Sequence, residues 1–273
     1  MQTPKSILLH LDGSSRTAER VQVARHLAET FDAQVTGLYG AMASLLRFPV
    51  AMEGSAAAVA MMMDLDEEGR KAAKASFLMA SAVSPRLKWS DSKSDAFWDF
   101  TRRAFYADLV IVGQRNPKDP SAGELPADFV PNLLVDTGRP ALVVPYAGAI
   151  APIGRTLLVA WKETREAARA VSAALPWLRR AGHVHVVCYD EEPAIALQSL
   201  QEYLTAQGIT ATLHQGGPEH GNAGESLLSQ ASDLGADLLV MGCYGHSRAR
   251  EWVLGGATRT ILESMTLPVL MVH

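Results

Sequence analysis

The sequence has 273 residues, with 25 Lys and Arg against 29 Asp and Glu, a net charge of -4 and a pI near 6.1. That length suffices for two domains that each bury a core, and the lack of a basic surplus excludes a long-range field drawing the chain to nucleic acid. Two cysteines, Cys188 and Cys243, are too few for a disulfide framework and fit a reducing cytoplasm.

In chain order, the apolar run Ile7–Leu11 is broken by His10 and followed at once by Asp12, so it is too short for a secretory leader and reads as a strand. Val35–Tyr39 is a second strand. Residues 41–63 break the pattern: they are mostly apolar and include Met42, Met52, Met61, Met62 and Met63. Arg47, Pro49, Glu53 and Gly54 interrupt them before a membrane span of about 20 residues is reached. Flexible thioethers adapt to varied surfaces. The expectation is a lid packed over the first half's crevice, because large apolar patches are rarely left open; an exposed surface for a protein partner or hydrophobic ligand is the alternative. Ala107–Gly113 and Arg139–Val144 supply further strands, and a Gly-Ala-Ile-Ala-Pro-Ile-Gly linker spans 148–154.

In the second half the spacing predicts strands near 155–161, 183–189, 210–215, 237–241 and 268–272. Helices are predicted at Arg165–Arg180, Pro193–Gln207, Ala223–Leu234 and Ala257–Met265, with Pro176 expected to kink or shorten the first. Such alternation makes βαβ units and a doubly wound parallel sheet. Its ligand crevice opens at the carboxyl ends of the strands, here flanked by residues 161 and 241.

The two halves repeat one unit. Ile7–Ser14 lies opposite Leu157–Thr164, and Val35–Tyr39 opposite His185–Tyr189, at an offset of 150. Ala107–Gly113 matches Ala236–Gly242 at 129, so the first half holds 21 extra residues, where 41–63 falls. Arg139–Val144 sits opposite Leu267–Val272 at 128, closing each copy on a proline-led strand. The expected domains are 1–147 and 154–273.

From Asp237 to Thr258 the chain combines a buried-strand run, Gly242 and Gly245, a loop with Arg248 and Arg250, and Gly255 and Gly256 opening a helix. Glycines tolerate positive φ and bring bare backbone near a ligand. The first amides of the following helix lack internal partners and, with the positive end of its dipole, suit an anion. An ordinary tight strand-to-helix turn is the structural alternative.

These residues resemble a tandem member of the universal stress protein (UspA) family, over nearly the whole chain outside 41–63 and the linker. The family motif G-x2-G-x9-G-(S/T) is matched by Gly242, Gly245 and Gly255, with Gly256 in place of the hydroxyl residue and Thr258 as the nearest hydroxyl. The resemblance implies two flavodoxin-like domains in tandem, each a five-stranded, doubly wound parallel α/β sheet of the adenine nucleotide α-hydrolase-like type. It implies a regulatory adenine nucleotide (ATP, ADP or AMP), with or without Mg, in the second domain. The implied contacts are Ala160, Trp161, Lys162, Cys188, Met241, Gly242, Gly245, His246, Arg248, Gly255, Gly256, Ala257 and Thr258. It also implies pairing of the last strands, Leu142–Val144 with Leu270–Val272, within one chain, and is compatible with a homodimer. Asp12 stands where many relatives place an acid near the ribose, whereas the second copy has Lys162, suited to a phosphate or to Glu163. The first copy follows Gly113 with Gln114, Arg115 and Asn116 and has Pro126 for the third glycine, so it is expected to be structural or regulatory.

Other chemistry is thinner. Gly245-His-Ser-Arg-Ala249 approaches a nucleophile elbow at Ser247, but only Glu251, Glu263 and His273 follow as acid or base candidates. His183 with His185, and His214 with Glu219 and His220, form two sets of zinc-type ligands without a complete structural-site spacing, so ordinary strand-end or loop histidines are the expectation and no metal site is assigned. Cys243 reads as a small filler in a tight turn, the alternative being a redox-sensitive thiol. Two rival functions stay open: a slow ATPase, with Glu251 as the only acid in the loop, and a nucleotide-free interaction module serving an unidentified protein partner.

Overall fold

The computed structural model describes residues 3–48, 55–82, 84–91, 96–148, 152–190, 192–217, 222–245 and 256–273. Contacts divide the chain into two compact units, Pro4–Arg139 and Pro140–His273. Among the described residues no helix is long and apolar enough to cross a membrane.

The first unit runs β1 (Ser6–Leu11), α1 (Thr17–Phe31), β2 (Gln34–Tyr39), α2 (Ser44–Arg47), α3 (Ala56–Ala80), β3 (Leu87–Trp89), α4 (Ala96–Ala104), β4 (Leu109–Gly113), a 3-10 turn (Pro120–Glu124) and α5 (Phe129–Thr137). Its strands lie parallel in the order β3-β2-β1-β4. Ile7 to Leu11 are all buried, as a parallel strand covered on both faces requires. α1 presents Val21, Ala24, Leu27, Ala28 and Phe31 inward at helical spacing and ends at Asp32, which adopts the left-handed conformation at φ 51°.

The methionine-rich insertion forms α2 and the first turns of α3. Ser55 caps α3 by accepting the Ala58 amide at 3.3 Å, and Asp66 accepts the Ser44 amide at 2.9 Å, tying α2 to α3. Only Ala73 and Phe77 of α3 are buried. Met61 and Met63 are 65% and 60% exposed, so these side chains do not close over a crevice as a lid would. The early turns of α3 bury no residue, whereas Phe77 packs the far end on Gly37 of β2 and on Trp89.

The second unit contains β5 (Ala141–Val144), β6 (Thr156–Trp161), α6 (Arg165–Leu178), β7 (His183–Cys188), α7 (Pro193–Ala206), β8 (Thr212–Gln215), α8 (Ala223–Asp233), β9 (Leu238–Gly242), α9 (Ala257–Ser264) and β10 (Val269–Val272). Its order is β5-β10-β9-β6-β7-β8, with every neighbour parallel except β5 on β10. The five strands β6 to β10 thus form the expected parallel sheet, and β5 adds an antiparallel strand through Leu142↔Leu270 and Val143↔Val269. Pro176 lies inside α6, which ends two residues later. Thr164 caps that helix by accepting the Ala167 amide at 3.2 Å, and Pro193 starts α7, where its missing N–H is no loss.

The repeated Ala-Asp pair has a backbone role in both units. Asp108 accepts the amides of Lys5 and Ser6 at 2.8 and 2.9 Å. Asp237 accepts those of Gly154, Arg155 and Thr156 at 2.7, 2.9 and 3.1 Å. Each carboxylate therefore fastens the chain entering its unit's first parallel strand, β1 or β6.

Candidate functional site

In the second unit the chain starts at β6, moves outward to β7 and β8, then returns to β9 on the other side of β6. Strand order reverses between β6 and β9, and a ligand crevice forms outside the carboxyl ends at such a point. The registers Trp161↔Cys188 and Ala160↔Met241 bring Ala160, Trp161, Cys188, Met241 and Gly242 together at that end. Lys162 follows β6 and is exposed, as is Glu163. The Trp161 Nε1 donor is buried and has no hydrogen-bond partner among the described residues. Burial pushes the Cys188 thiol up, with Asp190 adding to the effect.

The turn after β9 differs from expectation in its backbone. Gly242 and Gly245 do not take positive φ; the left-handed residue is Tyr244, at φ 56°. The glycines serve close approach instead. A Cβ on Gly242 would lie 2.5 Å from the Ala167 nitrogen, so the first turn of α6 packs directly on the end of β9. A Cβ on Gly245 would lie 2.9 Å from Glu166 Oε2.

Glu166 was not foreseen. It is 2% exposed, and its carboxylate accepts a hydrogen bond from Arg165 Nε. Burial pushes its carboxyl up, but the Arg165 hydrogen bond and the charges of Arg165 and His273 outweigh this and hold it below its ordinary value. A buried anion therefore abuts the second cradle glycine. No sequence pattern marks it, because Glu at the start of a helix is ordinary N-terminal chemistry.

Gly256 precedes α9 with φ -56° and ψ 156°; among the described residues no side chain caps this helix, and no acid occupies its first turn. Thr258 is 3% exposed, inside the first turn beside Ala257. Asn222 Nδ2 donates to Thr260 Oγ1 at 2.7 Å, fixing α9 against the start of α8. His246, Arg248 and Gly255 lie outside the described residues, with Ser247, Arg250 and Glu251; Glu219 and His220 do as well. Cys243 is 2% exposed, which suits a filler better than a reactive thiol, and His273 Nδ1 lies 3.1 Å from its carbonyl oxygen.

The corresponding end of the first unit is closed by its own side chains. Asp12, 8% exposed, accepts the Ser14 amide at 3.0 Å, the Thr17 hydroxyl at 3.1 Å and a guanidinium N–H of Arg20, itself 3% exposed. Burial alone would raise the Asp12 carboxyl; the Arg20 and His10 interactions and these hydrogen bonds hold it well below the carboxylate range. A Cβ on Gly113 would collide with the Arg20 guanidinium, so the arginine fills the hollow beside β4. His10 packs against Phe100 and Phe129 and contacts the Gly40 carbonyl oxygen at 2.8 Å through Nε2. Its burial lowers its pKa to about 4, with Arg20 adding to that effect and Asp12 opposing it. Nearby, a polar cleft of about 660 Å³ is lined by Gly13, Arg47, Asn116, Lys118, Asp119 and Glu124.

The sequence profile of the universal stress protein family matches residues 189–273. Universal stress protein Slr1230 of Synechocystis sp. is 42% identical over 50 residues, a stretch covering 18% of this chain and 17% of that relative's length. A universal stress protein from Archaeoglobus fulgidus DSM 4304 aligns over 99% of this chain and 96% of its own, with 16% identity and a TM-score of 0.73. A Pseudomonas aeruginosa PAO1 protein described as functionally unknown aligns over 99% and 93%, with 16% identity and a TM-score of 0.56. At such identities the solved structures speak for the fold alone. The universal stress protein profile is thus matched within the second unit, and the fold of a universal stress protein is shared along nearly the whole chain.

Proposed function

We propose that this chain is a universal stress protein that binds an adenine nucleotide (ATP, ADP or AMP) as a regulatory ligand in the cytoplasm, at the β6–β9 end of its second unit. The observation carrying this reading is that the Gly242, Gly245, Gly255 spacing begins at the sheet's switch point and ends at the start of α9, where the described N-cap residue, Gly256, has no side chain to cap the first amides. In it, the turn after β9 and the amides of Gly256, Ala257 and Thr258 receive phosphate oxygens. Ala160, Trp161, Cys188 and Met241 form the floor, where the unpartnered Trp161 Nε1 offers a donor. His246, Arg248 and Gly255 enter by motif spacing alone, and Lys162 is placed to meet a phosphate. A Mg ion, when bound, offsets the negative charges of phosphate and Glu166, which otherwise repel. Chain organisation as domains 1–147 and 154–273, paired through their last strands, belongs to the same proposal. The antiparallel ladder of β5 on β10 supports it and leaves a homodimer open.

The test is mass spectrometry of small molecules released from freshly purified protein, followed by calorimetry with Mg-ATP. Recovery of an adenine nucleotide, and loss of binding heat in Gly245→Trp, is the expected result. An empty protein giving no heat would leave the second reading, a nucleotide-free interaction module. The buried Glu166 carboxylate against Gly245 favours that alternative.

A further inference from the structure

We propose that His185 and His214 form a binding site for a first-row divalent transition cation, represented here by zinc, at the β7–β8 edge of the second unit. The sequence places these histidines in separate sets, 29 positions apart. The parallel register His185↔Thr212 and Val187↔His214 makes them diagonal neighbours on adjacent strands. Their rings are 5.2 Å apart at 42°, with His185 Nδ1 and His214 Nε2 3.0 Å from each other. In the metal-free pair one nitrogen donates and the other accepts. Zinc about 2.0–2.1 Å from each nitrogen, at a tetrahedral angle, sets them about 3.3 Å apart. The nitrogen separation thus lies within a few tenths of an ångström of that spacing, and the rings must also turn so that both lone pairs face the cation.

The surroundings suit an open site. Both rings are half-buried, so water can complete the coordination. Among the described residues no group of three or more His, Cys, Asp or Glu side chains is placed to hold a metal ion, so the protein supplies two imidazoles and water the other positions. His183 is exposed and lies two residues before His185, hence on the same face of β7, outside the pair. β8 is the edge strand, so a cation bridging these residues would clip it to β7.

Zinc chloride titrated calorimetrically into the intact metal-free chain at neutral pH tests the proposal, independently of any nucleotide. One bound equivalent is expected. His185→Ala and His214→Ala should each weaken binding by more than the roughly 10–100-fold that loss of an outer-shell partner produces, and His183→Ala should weaken it less. Circular dichroism verifies that the variants fold. Copper(II), which binds nitrogen sites more tightly than zinc, should show two imidazole nitrogens by electron paramagnetic resonance in the unaltered protein. No heat with zinc, binding that survives both principal substitutions, or a copper signal without paired imidazoles overturns the assignment.

Discussion

His10 makes the first unit sensitive to mild acid. The unfolded chain takes up this proton near the ordinary imidazole value of 6.5, whereas the folded chain does so at about 4. Between those values the unfolded state holds more protons, so the His10 contribution is fully present above pH 6.5 and falls as the pH drops toward 4. The loss is on the order of 3 kcal/mol. Asp12 acts lower: its depressed carboxyl adds stability above its unfolded pKa, and this is lost only as pH falls further. Urea denaturation at pH 7 and pH 4.5 should show the decline, and His10→Gln should flatten it; equal stability of the unaltered protein at both values would refute the linkage. In the second unit, Glu166→Gln should tighten adenine nucleotide binding by about tenfold by removing a buried like charge beside the phosphate positions. Unchanged or weaker calorimetric affinity would mean that the carboxylate does not oppose the ligand.

α3 is held by few side chains. Its buried residues are Ala73 and Phe77, and Phe77 rests where a Cβ on Gly37 would come within 2.7 Å. Phe77→Ala should lower stability by about 3–5 kcal/mol and raise amide hydrogen exchange along α3 before β1 and β2 open. Slow exchange throughout α3 in that variant would place its anchor elsewhere. Asp237 fastens an element of another kind, since three consecutive amides entering β6 donate to its carboxylate. Asp237→Ala should destabilise the protein by roughly 2–4 kcal/mol, measured by denaturant midpoint, given the strength of hydrogen bonds to charged groups. The matching role of Asp108 explains why Ala-Asp recurs in the repeat: it is architectural rather than ligand-binding.

At the scale of the whole molecule, β5 lies in the compact unit formed by residues 140–273, although its sequence closes the first repeat. It covers the outer edge of β10 through Leu142↔Leu270. Leu142→Pro should disrupt that ladder, leave β10 open to pairing and cause concentration-dependent association in light scattering; a variant that stays unassociated at every concentration would contradict this. Much of the architecture was legible in the chain: the β6 to β10 run, the helix starts Arg165, Pro193, Ala223 and Ala257, and the unequal repeat. Burial period, capping residues and prolines are local signals, so a linear reading captures them. Met61 and Met63 were legible as an adaptable apolar surface, but the sequence favoured a covered lid over the exposed alternative, because exposure depends on what packs against a helix. The glycine spacing was equally plain, yet it did not reveal that Glu166 stands against Gly245 or that Arg20 fills the hollow at Gly113. Nor did it join His185 to His214, whose contact depends on the register of β7 on β8. Elements, the repeated pattern and the glycine motif can be read along the chain, whereas only the folded packing brings particular charges and imidazoles together. Those meetings follow from strand order and packing across distant segments, which periodicity along a chain does not specify.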